Sequence, residues 1–159
     1  MAAPRVPVAI ALGSNLGNRE AHLAFALSRL QSLLHNVRAS TFVETPAEGV
    51  SGDQPPFLNG AVVGETDLSP QGLLAAMGAI EVAAGRTRPY RYAARTLDLD
   101  LILYGNAVVE EKGLVVPHPR FRERRFVLAP LAEVAGGWID PVTGQTVSAL
   151  LRRLPPSPS

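Results

Sequence analysis

Two hydrophobic periods alternate along the chain. Val6 to Leu12 is a short, nearly continuous apolar run, which predicts a strand buried on both faces. From Arg19 to His35 the residues Leu23, Ala26, Leu27, Leu30, Leu33 and Leu34 form one apolar stripe at helical spacing, with Asn18 as the N-cap. Val37 to Glu44 and Phe57 to Thr66 read as a second and a third strand. Between them lies a Pro-, Gly- and acid-rich loop, 45–56, too long for a hairpin connection. Ser69-Pro70 opens a second helix, which runs through Leu73, Leu74, Met77, Ile80 and Glu81 and stops at Gly85. After an arginine-rich loop, 86–96, strand periodicity returns from Leu97 to Tyr104. Gly105-Asn106 then predicts a hairpin turn with 106–110 as the return arm. Leu114-Val115-Val116 leads into Pro117-His118-Pro119. Residues 120–125 predict a short helical turn, 126–135 a last apolar helix, 138–151 a capping segment and 155–159 a frayed tail. The order βαββαβ with extra elements at the end predicts an α+β fold, a ferredoxin-like antiparallel sheet with helices packed on it plus C-terminal additions. One domain over 1–154 accommodates it.

The strand after the arginine-rich loop carries the chemistry. In Arg95-Thr96-Leu97-Asp98-Leu99-Asp100-Leu101, successive side chains point to opposite faces. Asp98 and Asp100 therefore share one face and the leucines the other. Two neighbouring carboxylates repel unless something positive lies between them, and hard oxygen ligands on a rigid strand suit Mg²⁺ carrying phosphate. A solvated edge-strand face is the plain alternative. The neighbourhood favours the metal: Arg86, Arg88, Arg91 and Arg95 precede the pair, and His118, Arg120, Arg122, Arg124 and Arg125 follow it. Prolines on both sides of His118 present its ring in a defined place. In the third strand Asn59 shares a face with Phe57, and its amide needs partners, either ordinary edge hydrogen bonds or a heterocycle. Gly13-Ser14-Asn15-Leu16-Gly17-Asn18 is neither G-x-x-x-x-G-K-[ST] nor G-x-G-x-x-G. It reads as a strand-to-helix turn or a phosphate cradle.

Composition narrows the ligand. The net charge of the 159-residue chain is only +1, so its basic character is local and gives no global case for nucleic acid or membrane. Between 86 and 125 the cations are arginines apart from Lys112, and the planar guanidinium favours bidentate phosphate recognition. There are no cysteines, which excludes disulfides and thiolate metal sites and fits a cytoplasmic protein. No run approaches the length of a membrane span, and the start of the chain lacks a signal-peptide layout.

Four stretches stand together: Ala11-Leu12-Gly13-Ser14-Asn15-Leu16-Gly17, Phe57-Leu58-Asn59, Arg95-Thr96-Leu97-Asp98-Leu99-Asp100, and Val116-Pro117-His118-Pro119 with Arg124 and Phe126. In this order and spacing they resemble the 6-hydroxymethyl-7,8-dihydropterin pyrophosphokinase family over about residues 6 to 150. The resemblance implies transfer of the terminal pyrophosphate of ATP to the pterin's hydroxymethyl group, with release of AMP, in folate biosynthesis. It implies that Asp98 and Asp100 hold two Mg²⁺ ions. Thr45, Pro46, Phe57, Asn59 and Phe126 fall where the family holds the pterin. Arg86, Arg88, Arg95, His118 and Arg124 fall where it handles the nucleotide, with Glu81 and Ile102 near it; Arg86 and Arg95 join the two aspartates as catalytic groups. Loops 45–56 and 86–95, the latter with Tyr92, would be lids that exclude water. Tyr92 stands where some members have tryptophan, and Phe57 replaces a tyrosine. The implied partners are ATP and the pterin, with a monomer as the working form and neither nucleic acid nor membrane.

Other classes have distinguishable signatures. An RNA-binding ferredoxin-like module stacks bases on exposed strand aromatics, whereas this strand offers aspartates. A catalytically silent relative would be expected to lack Asp98, Asp100 or Arg95. A metal-dependent nucleotidyl transferase would release pyrophosphate instead of AMP.

Overall fold

A computed structural model describes residues 5–15, 17–45, 56–85 and 97–155. The described elements are, in order, β1 (Val6–Ser14), α1 (Arg19–Leu33), β2 (His35–Ala39), β3 (Val43–Thr45), β4 (Phe57–Thr66), α2 (Pro70–Ala83), β5 (Asp98–Tyr104), β6 (Val109–Glu111), β7 (Leu114–Val116), a 3₁₀ turn (Phe121–Glu123), α3 (Arg125–Ala135) and α4 (Val147–Arg153). The main sheet is antiparallel in the order β2-β4-β1-β5, with β3 also paired to β4.

Both faces of this sheet are covered. The stripe of α1 (Leu23, Ala26, Leu30) and that of α2 (Leu73, Met77, Ile80) bury against Leu12, Leu58, Val62, Leu99 and Leu101. Val127, Leu128 and Leu131 of α3 and Leu150 of α4 bury against Ala9, Ala61, Val63 and Leu103 on the opposite face. The apolar run of β1 is thus buried on both sides, as continuous hydrophobicity requires.

Caps set several boundaries where expected. Asn18 Oδ1 accepts from Ala21 N–H at 3.0 Å, and Ser69 Oγ from Gly72 N–H at 3.0 Å, with Pro70 in the first turn of α2. Four expectations need correction. Helix α1 ends at Leu33 rather than His35, because Leu34 turns extended and Asn36 takes a left-handed φ of 53°. The single strand expected over 37–44 is two, broken at Ser40-Thr41-Phe42. There the Ser40 hydroxyl replaces a ladder acceptor by taking Ala61 N–H at 2.8 Å, while Phe42 lies against Gly60, whose missing Cβ makes the room. Strand β1 continues through Gly13 and Ser14 rather than stopping at Leu12.

The fourth correction concerns the return arm after Gly105-Asn106. It does not pair with β5, because the outer edge of β5 is already occupied. Glu81 of α2 accepts Leu99 N–H at 2.9 Å, and the Ile102 carbonyl accepts His118 N–H at 3.0 Å. Instead β6 pairs with β7 in a separate two-stranded ribbon. Of the expected tail, Pro155 is held by Arg125 Nη2 at 2.6 Å; residues 156–159 lie outside the described region. Among the described residues no helix is long and apolar enough to cross a membrane.

Candidate functional site

The register of the sheet assembles the site. Gly13 pairs with Asn59 on one side and Asp98 on the other. Ala11 likewise lies between Ala61 and Asp100. Directly opposed residues of antiparallel strands point to one face, so Asn59 and Asp98 stand two strand spacings apart, roughly 10 Å. Gly13 lies between them with no side chain. The result is a slot floored by Gly13 and Ala11, with an amide on one wall and two carboxylates on the other. Gly13 is required here by close approach: a Cβ on it would meet Asn59 Oδ1 at 2.9 Å and Phe57 Cδ1 at 3.5 Å. The sequence leaves Gly13 in a strand-to-helix turn or a phosphate cradle, whereas it lies inside β1 opposite Asn59; its G-S-N-L-G context was the available signal.

On the Asn59 wall, Phe57 is half-buried and Asn59 is 5 % exposed. Thr45 faces Phe57 across the β3–β4 pair, and Asn59 Nδ2 donates to Thr45 Oγ1 at 2.5 Å. The Asn59 amide thus has an ordinary cross-strand partner, which fixes its orientation and leaves Oδ1 over Gly13. Helix α3 steadies this wall from above. The Glu133 carboxylate accepts both Thr41 N–H and Thr41 Oγ1–H at 2.9 Å, which fixes the β2–β3 connection.

On the carboxylate wall, Asp98 is half-buried and Asp100 exposed, while Leu97, Leu99 and Leu101 are buried on the opposite face. The alternation expected from the sequence is present. It breaks one residue later. Ala9 pairs with Leu103 and Ile10 with Leu101, so Ile102 is the extra residue of a bulge. Its side chain is 1 % exposed in the core beneath α3, and its freed carbonyl accepts His118 N–H at 3.0 Å. The bulge thereby fixes the proline-flanked histidine beside the strand end; the Val116–Pro117 peptide is cis. His118 Nδ1 accepts Arg120 N–H at 3.2 Å, which leaves Nε2 as the ring's donor. Burial lowers the His118 pKa below its ordinary value, aided by Arg124 and Arg120 and opposed by the nearby Asp100. The ring is neutral at neutral pH.

Phe126 lies in the first turn of α3, half-buried, with the Arg124 guanidinium carbon 5.6 Å from its ring centre. Among the described residues Arg124 Nε is buried without a hydrogen-bond partner, the situation of a donor awaiting an acceptor. The segment bearing these residues is pinned from behind. Arg122 forks onto Asp140 at 2.5 Å and 3.0 Å, and Asp140, fully buried, also accepts from Thr143 Oγ1 at 2.8 Å and Val142 N–H at 3.0 Å.

Thr45, Phe57, Asn59, Asp98, Asp100, His118, Arg124 and Phe126 thus lie on the described elements that border or flank the slot. Glu81 and Ile102 stand behind it: the Glu81 carboxylate holds the edge of β5 and Ile102 holds His118 through its backbone. Pro46, Arg86, Arg88, Tyr92 and Arg95, with most of the two expected lids, lie outside the described residues. Among the described residues no group of three or more His, Cys, Asp or Glu side chains is placed to enclose a metal. Two carboxylates nonetheless suit Mg²⁺, which keeps most of its coordination for water and phosphate oxygens.

Comparison with known proteins agrees with this geometry. The sequence pattern of the 7,8-dihydro-6-hydroxymethylpterin-pyrophosphokinase (HPPK) family matches residues 9–136. A 2-amino-4-hydroxy-6-hydroxymethyldihydropteridine pyrophosphokinase from Methylorubrum extorquens is 42% identical over 150 residues, covering 93% of each chain. A Bacillus subtilis protein of the same name is 46% identical over 127 residues, 79% of this chain and 75% of that one. The mitochondrial folate synthesis bifunctional protein of Pisum sativum is 46% identical over 134 residues, 84% of this chain but only 26% of its own length. Among solved structures, wild-type Plasmodium falciparum HPPK-DHPS with STZ-DHP superposes with a TM-score of 0.75 at 14% identity. It shares the fold over 94% of this chain, which spans 43% of that larger one. The chain belongs to the 7,8-dihydro-6-hydroxymethylpterin-pyrophosphokinase family and is a pyrophosphokinase.

Proposed function

We propose that the chain transfers the terminal pyrophosphate of ATP to the hydroxymethyl group of 6-hydroxymethyl-7,8-dihydropterin, in folate synthesis, as a cytoplasmic monomer. The fold reading that accompanies it is a ferredoxin-like βαββαβ unit with C-terminal additions, supported by the strand order β2-β4-β1-β5. The observation that carries the proposal is the slot floored by Gly13, with a held amide on one side and paired carboxylates on the other. A flat heterocycle fits the amide side, where Asn59 reads its polar edge, Phe57 and Phe126 bear on its faces and Thr45 closes the rim, while Pro46 is assigned to the same ligand by the family resemblance alone. Polyphosphate fits the carboxylate side.

In the reaction the hydroxymethyl oxygen attacks the β-phosphorus and gives up its proton to water, the bond from the β-phosphorus to the oxygen bridging it to the α-phosphate breaks, and AMP leaves with that oxygen. Mg²⁺ bound by Asp98 and Asp100, two ions in this reading, would supply charge neutralisation and alignment of the phosphate oxygens. The protein's own groups supply the rest. Arg124, whose Nε–H has no partner among the described residues, would donate to a phosphate oxygen, neutral His118 would donate from Nε2 without adding a full charge, and Arg86, Arg88 and Arg95, with Tyr92, are assigned to the phosphates by the family resemblance alone. Glu81 and Ile102 contribute from behind by keeping β5 and His118 in place. Because Asn59 and Asp98 project from one rigid sheet, acceptor and donor are positioned before either binds.

The test is product analysis with ATP and the reduced pterin. AMP and pterin diphosphate are expected in equal amounts with Mg²⁺ and neither with excess EDTA. Asp98→Ala is expected to lose about 10²-fold or more in kcat, as for removal of one group that stabilises transition-state charge, while its circular-dichroism melt stays near wild type. Pyrophosphate in place of AMP would assign nucleotidyl transfer instead.

A further inference from the structure

We propose that Arg19 is a positioning residue for the acceptor half of the site, an assignment that rests on the pterin reading above. Arg19 is the first residue of α1, directly after the Asn18 cap. A cation at that position faces the positive end of the helix and is electrostatically adverse, so the helix alone does not favour arginine there. The guanidinium is directed at the sheet instead. Nη1 donates to Pro56 O at 2.9 Å, and Nη2 lies 3.5 Å from Glu44 Oε2; the side chain is 21% exposed.

These two contacts fall at corresponding places. Glu44 immediately precedes Thr45, Pro56 immediately precedes Phe57, and Thr45 and Phe57 are directly paired at the open ends of β3 and β4. One planar fork therefore spans the pair of strand ends that presents Thr45 and Phe57. The span needs help, because β3 has only three residues and, among the described residues, pairs with β4 alone at the sheet margin. Short edge strands hold their termini weakly. Thr45 Oγ1 must nevertheless stay within reach of Asn59 Nδ2, since that bond orients the amide. Fixing the Pro56 carbonyl also fixes the peptide that leads into Phe57, and with it the direction in which the ring leaves the strand.

The two contacts are unequal. Glu44 is exposed, so its ion pair is weak, and the hydrogen bond to Pro56 carries most of the effect. Lysine could reach one partner as a point charge but could not fork across both.

The experiment is steady-state kinetics on the full chain with ATP and 6-hydroxymethyl-7,8-dihydropterin, each varied while the other is saturating. Arg19→Ala is expected to raise the KM for the pterin about tenfold, the scale of one charge-assisted hydrogen bond lost from a preorganised site. The KM for ATP and kcat should stay within about twofold, a split that general loosening of the fold would not produce. Arg19→Lys should fall between wild type and Arg19→Ala, and it carries the test if the alanine variant does not fold. A folded variant with unchanged pterin KM, or with both KM values and kcat impaired alike, overturns the assignment. Wild-type protein that forms no AMP from ATP and the pterin overturns the underlying reading instead, so the two failures are separable.

Discussion

Gly13 shows how much one absent side chain decides. Its neighbours on β4 and β5 are the amide and the carboxylate that define the slot, and any Cβ would enter the space of Asn59 Oδ1 at 2.9 Å. Gly13→Ala should therefore push the Asn59 amide off its bond to Thr45. The expected cost is about 1–3 kcal/mol of stability, typical of overpacking a tight site, with a rise in pterin KM larger than that in ATP KM. Thermal melting and the two KM values check this; wild-type values for both would show that the slot has slack at its centre. Asp98 and Asp100 were legible from sequence because strand alternation alone puts them on one face. The role of Gly13 was not, since a glycine after an apolar run reads equally well as a turn.

Among the elements, the segment from Pro117 to Phe126 depends on partners far from it in sequence. Its front end hangs on the carbonyl that the β5 bulge releases at Ile102, and its rear end on the Arg122–Asp140 fork. Burial of Asp140 raises its pKa, but bonds from Arg122, Thr143 and Val142 more than offset this, and the pKa lies below the ordinary value. A depressed carboxylate pKa contributes stability above the unfolded-state value, about 3.9, and that contribution is lost as pH falls through the folded value. Asp140→Asn should accordingly cost about 2–3 kcal/mol near pH 7, since Arg122 is left without its charge partner while retaining partial solvent access. The gap in melting temperature between variant and wild type should narrow as pH drops below about 4. A gap that holds constant down to pH 2 would show that the fork contributes through packing and not charge.

For the molecule as a whole, the two cores are the two faces of one sheet. Helices α1 and α2 cover one face and α3 and α4 the other, and strands β1, β4 and β5 belong to both. Neither core can lose its floor without exposing the other, so unfolding should be one cooperative transition. Trp138, the chain's single tryptophan, packs against the α3–α4 core. Its fluorescence should report the same urea midpoint as far-ultraviolet circular dichroism, to which α1 and α2 contribute. Two separated midpoints would show that the C-terminal elements form an independent unit.

The sequence by itself determined what depends on neighbours a few residues away: the caps Asn18 and Ser69, the helical stripes, the shared face of Asp98 and Asp100, and the family to which the motifs point. These are set by backbone periods of two and 3.6 residues, which act locally. Tertiary structure decided which strand each residue meets. The Ser40 break in the second strand, the redirected arm that became β6, the bulge at Ile102 and the approach of Gly13 to Asn59 each depend on a partner from a distant part of the chain. The edge of β5, taken by the Glu81 side chain and by His118 N–H, left the hairpin arm to pair elsewhere, and register across β4, β1 and β5 brought amide, glycine and aspartate into one row. Such pairings are selected by packing the finished sheet between its helices, and no local period in the chain encodes them.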